Sequence, residues 1–292
     1  MGRLIGDDEG ADFVQHTVSA GDGLRLAIRD YGARQSPVVL CLTGVTRNAR
    51  DFHPLASLLV DRFRVVVPDY RGRGGSEWDP DWRHYHPQVY LRDIADVLTA
   101  LDIEHCAVVG TSLGGLLGFA MGVAMPTRID GLLINDIGPI IPDAAIGPVR
   151  AFVSDSGRYA TWEDAIGRLQ GLFPSLPAED DDDWLVLAKA TFKDDGHGFL
   201  IPDWDPAIGR RLAEPPPSAN MLWSLFDSLA RRPLALVRGA ESQFLSRDTS
   251  EIMQNRHPGM DYAEIENVGH APSLVEPQSL DLVYRWLDRC SG

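Results

Sequence analysis

The sequence is short of three things. It has 3 cysteines in 292 residues, Cys41, Cys106 and Cys290. So odd and sparse a set builds no disulfide framework, and it fits reduced thiols in a cytoplasmic setting. Positive charge is also scarce, with 27 Lys and Arg against 42 Asp and Glu and a net charge of -15. That balance argues against nucleic acid and anionic membrane surfaces as partners. Long apolar runs are missing too. No stretch of about 18 apolar residues occurs, and MGRLIGDDEGADF at the start lacks an apolar core of signal-peptide length. No membrane insertion or leader is expected.

What is there suffices for a packed core, with 44% hydrophobic and 24% charged residues. Part of the acidity is local, in Glu179-Asp180-Asp181-Asp182-Asp183. Without histidine or ordered ligand spacing, that run reads as a solvated helix start or loop rather than a metal site. No metal and no organic cofactor are expected.

Along the chain, Phe13–Val18 and Leu24–Tyr31 read as strands around the turn Ala20-Gly21-Asp22-Gly23. Short continuous apolar runs follow at Val38–Leu42, Arg64–Val67, Cys106–Val109 and Ile129–Asn135. Such runs mark strands buried on both faces. Between them, Asp51–Leu59, Pro87–Leu101 and Leu113–Met125 carry helical spacing. The alternation predicts a mostly parallel sheet with helices on both faces. From about Ile137 to Ala230 the rhythm breaks into an irregular stretch rich in Pro and Trp. It resumes with strands at Leu234–Val237 and Tyr262–Ile265 and helices at Arg247–Asn255 and Gln278–Arg289. The expected arrangement is one α/β core, 1–136 and 231–292, carrying a cap insertion over 137–230.

One stretch stands out: VVGTSLGG, residues 108–115. Strand, Gly-x-Ser-x-Gly, helix is the pattern of a nucleophile elbow, in which small neighbours let a serine sit on a tight turn. The helix that starts after Ser112 also aims backbone N–H groups at developing negative charge.

With Leu42-Thr43-Gly44, Pro68-Asp69-Tyr70-Arg71-Gly72-Arg73-Gly74, Gly110-Thr111-Ser112-Leu113-Gly114 and Val268-Gly269-His270-Ala271-Pro272, the chain resembles the α/β-hydrolase superfamily over nearly its whole length. The resemblance implies Ser112 as nucleophile, His270 as base, and the backbone N–H groups of Val45 and Leu113 as oxyanion hole. Many members have His-Gly where this chain has Thr43-Gly44; Thr43 is expected to support that loop by hydrogen bonding. The reading requires the Ser112 hydroxyl and the His270 imidazole to come within bonding reach.

The acid that holds the histidine is the open position. Many members place it after the strand beyond the cap, where this chain has Ser242 and Gln243, with Glu241 adjacent. A second location is the end of the strand following the nucleophile helix, where Asp136 closes an apolar run. Burying an aspartate there is costly without a partner, and an imidazolium is one. Asp136 leads, Glu241 is the alternative acid, and absence of a working acid stays open. The turn holding Asp69, Arg71 and Arg73 reads as structural, with ion pairs. Of the remaining histidines, His53, His105 and His257 look structural, and His84, His86 and His197 look like surface or cap residues.

The implied chemistry is acyl transfer on a carboxylic ester, through an acyl-enzyme. Serine at the elbow argues against dehalogenases and epoxide hydrolases, which resemble this chain but carry aspartate there. Trp162, Phe173, Trp184, Phe192, Phe199, Trp204, Trp223 and Phe226 supply surface for a mainly apolar pocket, so a small-molecule ester with a medium-sized hydrophobic acyl or an aromatic group is the expected ligand. Two alternatives stay open. One is a carbon–carbon bond hydrolase of the meta-cleavage type, with Arg47 meeting a substrate carboxylate. The other is a non-catalytic or slow ligand binder. Oligomeric state is not in the sequence.

Overall fold

Eight strands pair into one sheet, whose central apolar strands are buried on both faces. A computed structural model of the chain describes residues 4–7 and 9–291. The N-terminal stretch read for a leader therefore lies partly outside the described residues. The first part holds β1 (Phe13–Ser19), β2 (Arg25–Tyr31), β3 (Val38–Leu42), α1 (His53–Leu59), β4 (Arg64–Pro68) and α2 (Pro87–Ala100). β5 (Cys106–Thr111), α3 (Leu113–Ala124) and β6 (Ile129–Asn135) follow. After the inserted segment come β9 (Leu234–Gly239), α9 (Arg247–Arg256), β10 (Asp261–Ile265) and α10 (Pro277–Cys290).

The sheet order is β1-β2-β4-β3-β5-β6-β9-β10. β2 runs antiparallel to both β1 and β4, and every other pairing is parallel. Alternation along each strand divides the core. Leu40, Val66, Val108, Leu132 and Leu236 face one side, with Ile94 and Val97 of α2 and Leu117 of α3. Val39, Val65, Val109, Leu133 and Ala235 face the other, with Leu55 of α1 and Trp286 of α10. β6 and β9 pair directly although about a hundred residues separate them, so one sheet accounts for both halves of the chain.

The stretch between β6 and β9 is more regular than its composition indicates. It holds α4 (Asp143–Val153), α5 (Trp162–Leu172), α6 (Asp181–Thr191), β7 (Phe192–Asp194), β8 (Leu200–Pro202), α7 (Ile208–Arg211) and α8 (Ala219–Asp227). Local capping explains much of this. The Thr161, Asp180 and Ser218 side chains accept from the third residue after them at the starts of α5, α6 and α8. The acidic run thus begins a helix. Prolines at 174, 177, 202, 206 and 215–217 fall between or at the ends of these elements, which masks the helical period in the sequence.

Candidate active site

The parallel strands β5 and β6 end side by side, with Thr111 paired to Asn135. Their next residues, Ser112 and Asp136, both turn with positive φ, 52° and 57°. Such angles are unusual for residues with a side chain and mark tight reversals. Two glycines make the first turn sterically allowed. A Cβ on Gly110 would lie 2.5 Å from Gly114, and one on Gly114 would lie 2.0 Å from the Leu42 carbonyl oxygen. The elbow therefore presses against the end of β3.

Leu113 is the first residue of α3, so its N–H is one of the helix's free donors. The Gly114 N–H donates to the Thr43 carbonyl at 3.0 Å, which joins the elbow to the loop carrying Val45. Thr43 Oγ1 donates to the Arg47 carbonyl at 3.2 Å, and the Arg73 Nε–H donates to the Val45 carbonyl at 2.5 Å. The loop is thus held from both sides.

Asp136 is fully buried. Its Oδ1 accepts from the Gly239 N–H at 2.9 Å, and its Oδ2 from the Ser242 hydroxyl at 2.6 Å. His270 Nδ1 lies 2.8 Å from the same Oδ2. With the carboxylate accepting, Nδ1 carries the hydrogen and Nε2 presents its lone pair. The ring lies against Phe244, 4.0 Å between centroids and tilted by 32°. Glu241 is exposed and its side chain takes no part in this cluster; its N–H donates to the Val268 carbonyl instead.

Ser112 and His270 line one cavity of about 190 Å³. No hydrogen bond joins their side chains, and such contacts are often loose before a ligand arrives. Thr43, Val45 and Phe244 lie on the same wall, while the segment after β6 contributes Val149, Phe152, Leu169, Phe173, Leu176, Val186 and Leu187. Of the eight aromatic residues singled out above, only Phe173 lines the cavity. Trp204 and Phe226 are buried in the core, Trp204 behind the lining residue Phe152, and Phe199 is exposed. The wall is mainly aliphatic.

Arg47 and Arg50 also line the cavity. Arg47 binds both oxygens of Asp51, at 2.6 and 2.7 Å, and donates to the Thr191 hydroxyl. Burial works against the Arg47 charge, but Asp51 more than offsets it and holds the group above its ordinary range. Arg50 donates to Asp203, and its Nε–H has no partner among the described residues.

The neighbouring Asp69 turn is structural, with ion pairs arranged differently from the expectation. Arg71 pairs with Asp22, Asp79 and Asp93, whereas Asp69 accepts from the Ala49 and Gly75 N–H groups. Burial pushes the Asp69 carboxyl up to about 6 against the lowering effect of those two donors. Asp22, Asp79 and His84 bring ligand atoms within 4.8 Å of one another, but the Arg71 guanidinium already sits on both carboxylates. His105 is a surface residue beside Asp130 rather than a structural one.

Sequence reasoning passed over three residues. Ser242 was noticed only for not being an acid, yet its hydroxyl is what that position supplies. Phe244 and Asn135 gave no local signal, because their contacts depend on how distant loops meet.

The comparisons with known proteins agree with this architecture. Residues 39–282 match the model of the Alpha/beta hydrolase family. The chain is 32% identical over 278 residues to the 3-hydroxybutyrate-oligomer hydrolase of Cupriavidus necator, covering 92% of this chain and 94% of that one. It is 25% identical over 284 residues to the 2-(acetamidomethylene)succinate hydrolase of Mesorhizobium japonicum, covering 94% and 96%. Among solved structures, an alpha/beta hydrolase from Novosphingobium aromaticivorans DSM 12444 superposes with a TM-score of 0.90 at 37% identity, covering 96% of this chain and all of that one. A mostly parallel sheet with an elbow at the end of its fifth strand, matched over this length, places the chain in the alpha/beta hydrolase family.

Proposed function

We propose that the protein is a serine hydrolase of carboxylic esters, with Ser112 as nucleophile, His270 as general base and Asp136 as the acid. The observation that carries this reading is the 2.8 Å contact between Asp136 and His270 Nδ1, at a cavity that Ser112 also lines. It leaves Nε2 free to take the Ser112 proton as Oγ attacks the ester carbonyl. The Val45 and Leu113 N–H groups stabilise the oxyanion. Protonated His270 then hands its proton to the departing alkoxide, and water, deprotonated by the same imidazole, releases the acid from the acyl-enzyme.

Residues 137–230 act in this reading as a cap. Their side chains supply about half of the apolar wall, which excludes water and receives the acyl chain. Similarity to a 3-hydroxybutyrate-oligomer hydrolase makes short hydroxyacyl esters the first substrates to try. Such an oligomer is a chain of ester links ending in a carboxylate, and Arg50, which lines the cavity and pairs with Asp203, is the cationic residue proposed to lie nearest that end. The carbon–carbon hydrolase reading has less support, because Arg47 is already tied to Asp51 and Thr191. The Asp136–His270 contact favours the catalytic reading over a non-catalytic binder.

The test is a fluorophosphonate probe followed by an ester panel that includes 3-hydroxybutyrate dimers and trimers. Labelling confined to Ser112, with turnover abolished in Ser112→Ala, is the expected result. Labelling without turnover of any ester would sink the ester reading, and absence of labelling would sink the serine mechanism.

A further inference from the structure

We infer that Asn135 is a positioning residue that sets the register between the Ser112 elbow and the His270 loop, an inference that rests on the serine-hydrolase reading above. No hydrogen bond joins Ser112 to His270 directly, so their relative placement depends on what ties their loops together. Asn135 does this with both backbone and side chain. Its carbonyl accepts from the Ser112 N–H at 3.0 Å. Its Nδ2 donates to Thr111 Oγ1 at 3.0 Å, one residue before the serine. The same Nδ2 donates to the Pro272 carbonyl at 2.8 Å, two residues after the histidine. Among the described residues, its side chain alone hydrogen-bonds to both segments.

The orientation of the amide follows from its partners. A carbonyl can only accept, so the nitrogen must face Pro272. That leaves Oδ1 buried with no partner among the described residues. A half-satisfied amide at 1% exposure is unfavourable for the fold. An apolar side chain would avoid that penalty, so stability alone is a poor reason for asparagine here. What the amide provides is a fixed span between two loops that reach one cavity from different strands. Its successor in the chain is Asp136, so this one strand end places the acid as well as holding the other two segments.

Small displacements matter in such a site, since about 1 Å of misplacement can lower a rate 100-fold. The test uses Asn135→Ala and Thr111→Val in the full chain, with ester turnover, fluorophosphonate labelling and amide exchange. Asn135→Ala is expected to lower kcat and the labelling rate by about 100-fold while KM changes less than about 3-fold. Thr111→Val, which weakens only the elbow end, is expected to lower kcat by about 10-fold with a near-native melting temperature. Exchange at the Ala271, Ser273 and Leu274 amides should accelerate at least about 10-fold in Asn135→Ala. If kcat and exchange stay within about 2-fold of the parent, the inference is overturned. Should Asn135→Ala fail to fold, a parental kcat in Thr111→Val overturns it instead. If the parent chain neither labels nor hydrolyses, the serine reading falls, and exchange alone decides whether Asn135 holds the loops.

Discussion

Ser242 donates its hydroxyl hydrogen to the buried Asp136 carboxylate at 2.6 Å, on the same oxygen that His270 contacts. The loop after β9, one of the two places where the resemblance implies an acid, lends a neutral donor to a carboxylate at the end of β6. The same Ser242 oxygen accepts from the Phe244 and Leu245 N–H groups at 3.2 and 3.1 Å. One hydroxyl therefore shapes the loop and orients the carboxylate.

The two candidate acids separate cleanly by substitution. Asp136→Asn keeps the shape but cannot hold the histidine in the required tautomer, and a kcat loss on the order of 10⁴-fold is expected. Glu241→Gln, at an exposed position, should stay within about 2-fold. Esterase rates of the two variants check this, and a collapse only in Glu241→Gln would remove Asp136 from the mechanism.

Ser242→Ala takes one donor from Asp136 and one acceptor from two backbone amides. Loss of a hydrogen bond to a buried charged group destabilises by about 1–3 kcal/mol. We expect that loss in urea unfolding together with about a 10-fold lower kcat and little change in KM. An unaltered kcat beside the lower stability would confine Ser242 to loop structure.

Gly114→Ala tests the elbow. The added methyl would sit 2.0 Å from the Leu42 carbonyl oxygen, a backbone atom that cannot swing away. Overpacking of this kind costs about 3 kcal/mol or more, so a melting temperature lower by roughly 6 °C or more is expected. A parental melting temperature would mean that the elbow has more room than its geometry indicates.

The pH dependence of stability carries a signature of Asp69. Its carboxyl is pushed from 3.8 up to about 6 by burial. Between those values the folded protein binds more protons than the unfolded chain, so stability falls as pH rises across that window. Asp69's contribution is full below about 3.8 and gone above about 6. In Asp69→Asn this component of the slope disappears. Unfolding free energies of parent and variant at pH 4.5 and 7 should therefore differ by a gap that narrows or changes sign. A gap independent of pH would show that Asp69 does not titrate there.

How much of this was legible depends on the range of the interactions involved. The sheet was readable because its central parallel strands β3, β4 and β5 are short apolar runs and α2 carries an apolar stripe, both local patterns. The elbow was readable because steric room needs glycine at fixed offsets from Ser112. The order of regular elements in 137–230 was not, because prolines and short helices blur the period that a reader relies on. The meeting of Asp136 with His270 was open for a different reason. It depends on β6 and β9 pairing side by side across the inserted segment, which brings the Asp136, Gly239 and Ser242 positions to one point. The Asn135 bridge was invisible on the same ground, because its partners sit 24 and 137 residues away.

The placement of Asp136 at the end of β6 has a consequence for recombining this chain with its relatives. A hybrid that takes residues 1–136 from here and the remainder from a member with its acid beyond the late strand would aim two carboxylates at a single imidazole. Two like charges at so enclosed a point cannot both persist, and one would take up a proton. The reciprocal hybrid would offer the imidazole a serine and no acid at all. Compatible exchange partners are therefore those in which the residue two before Phe244 is also a small hydroxyl, a criterion that can be read from an alignment before any gene is cut.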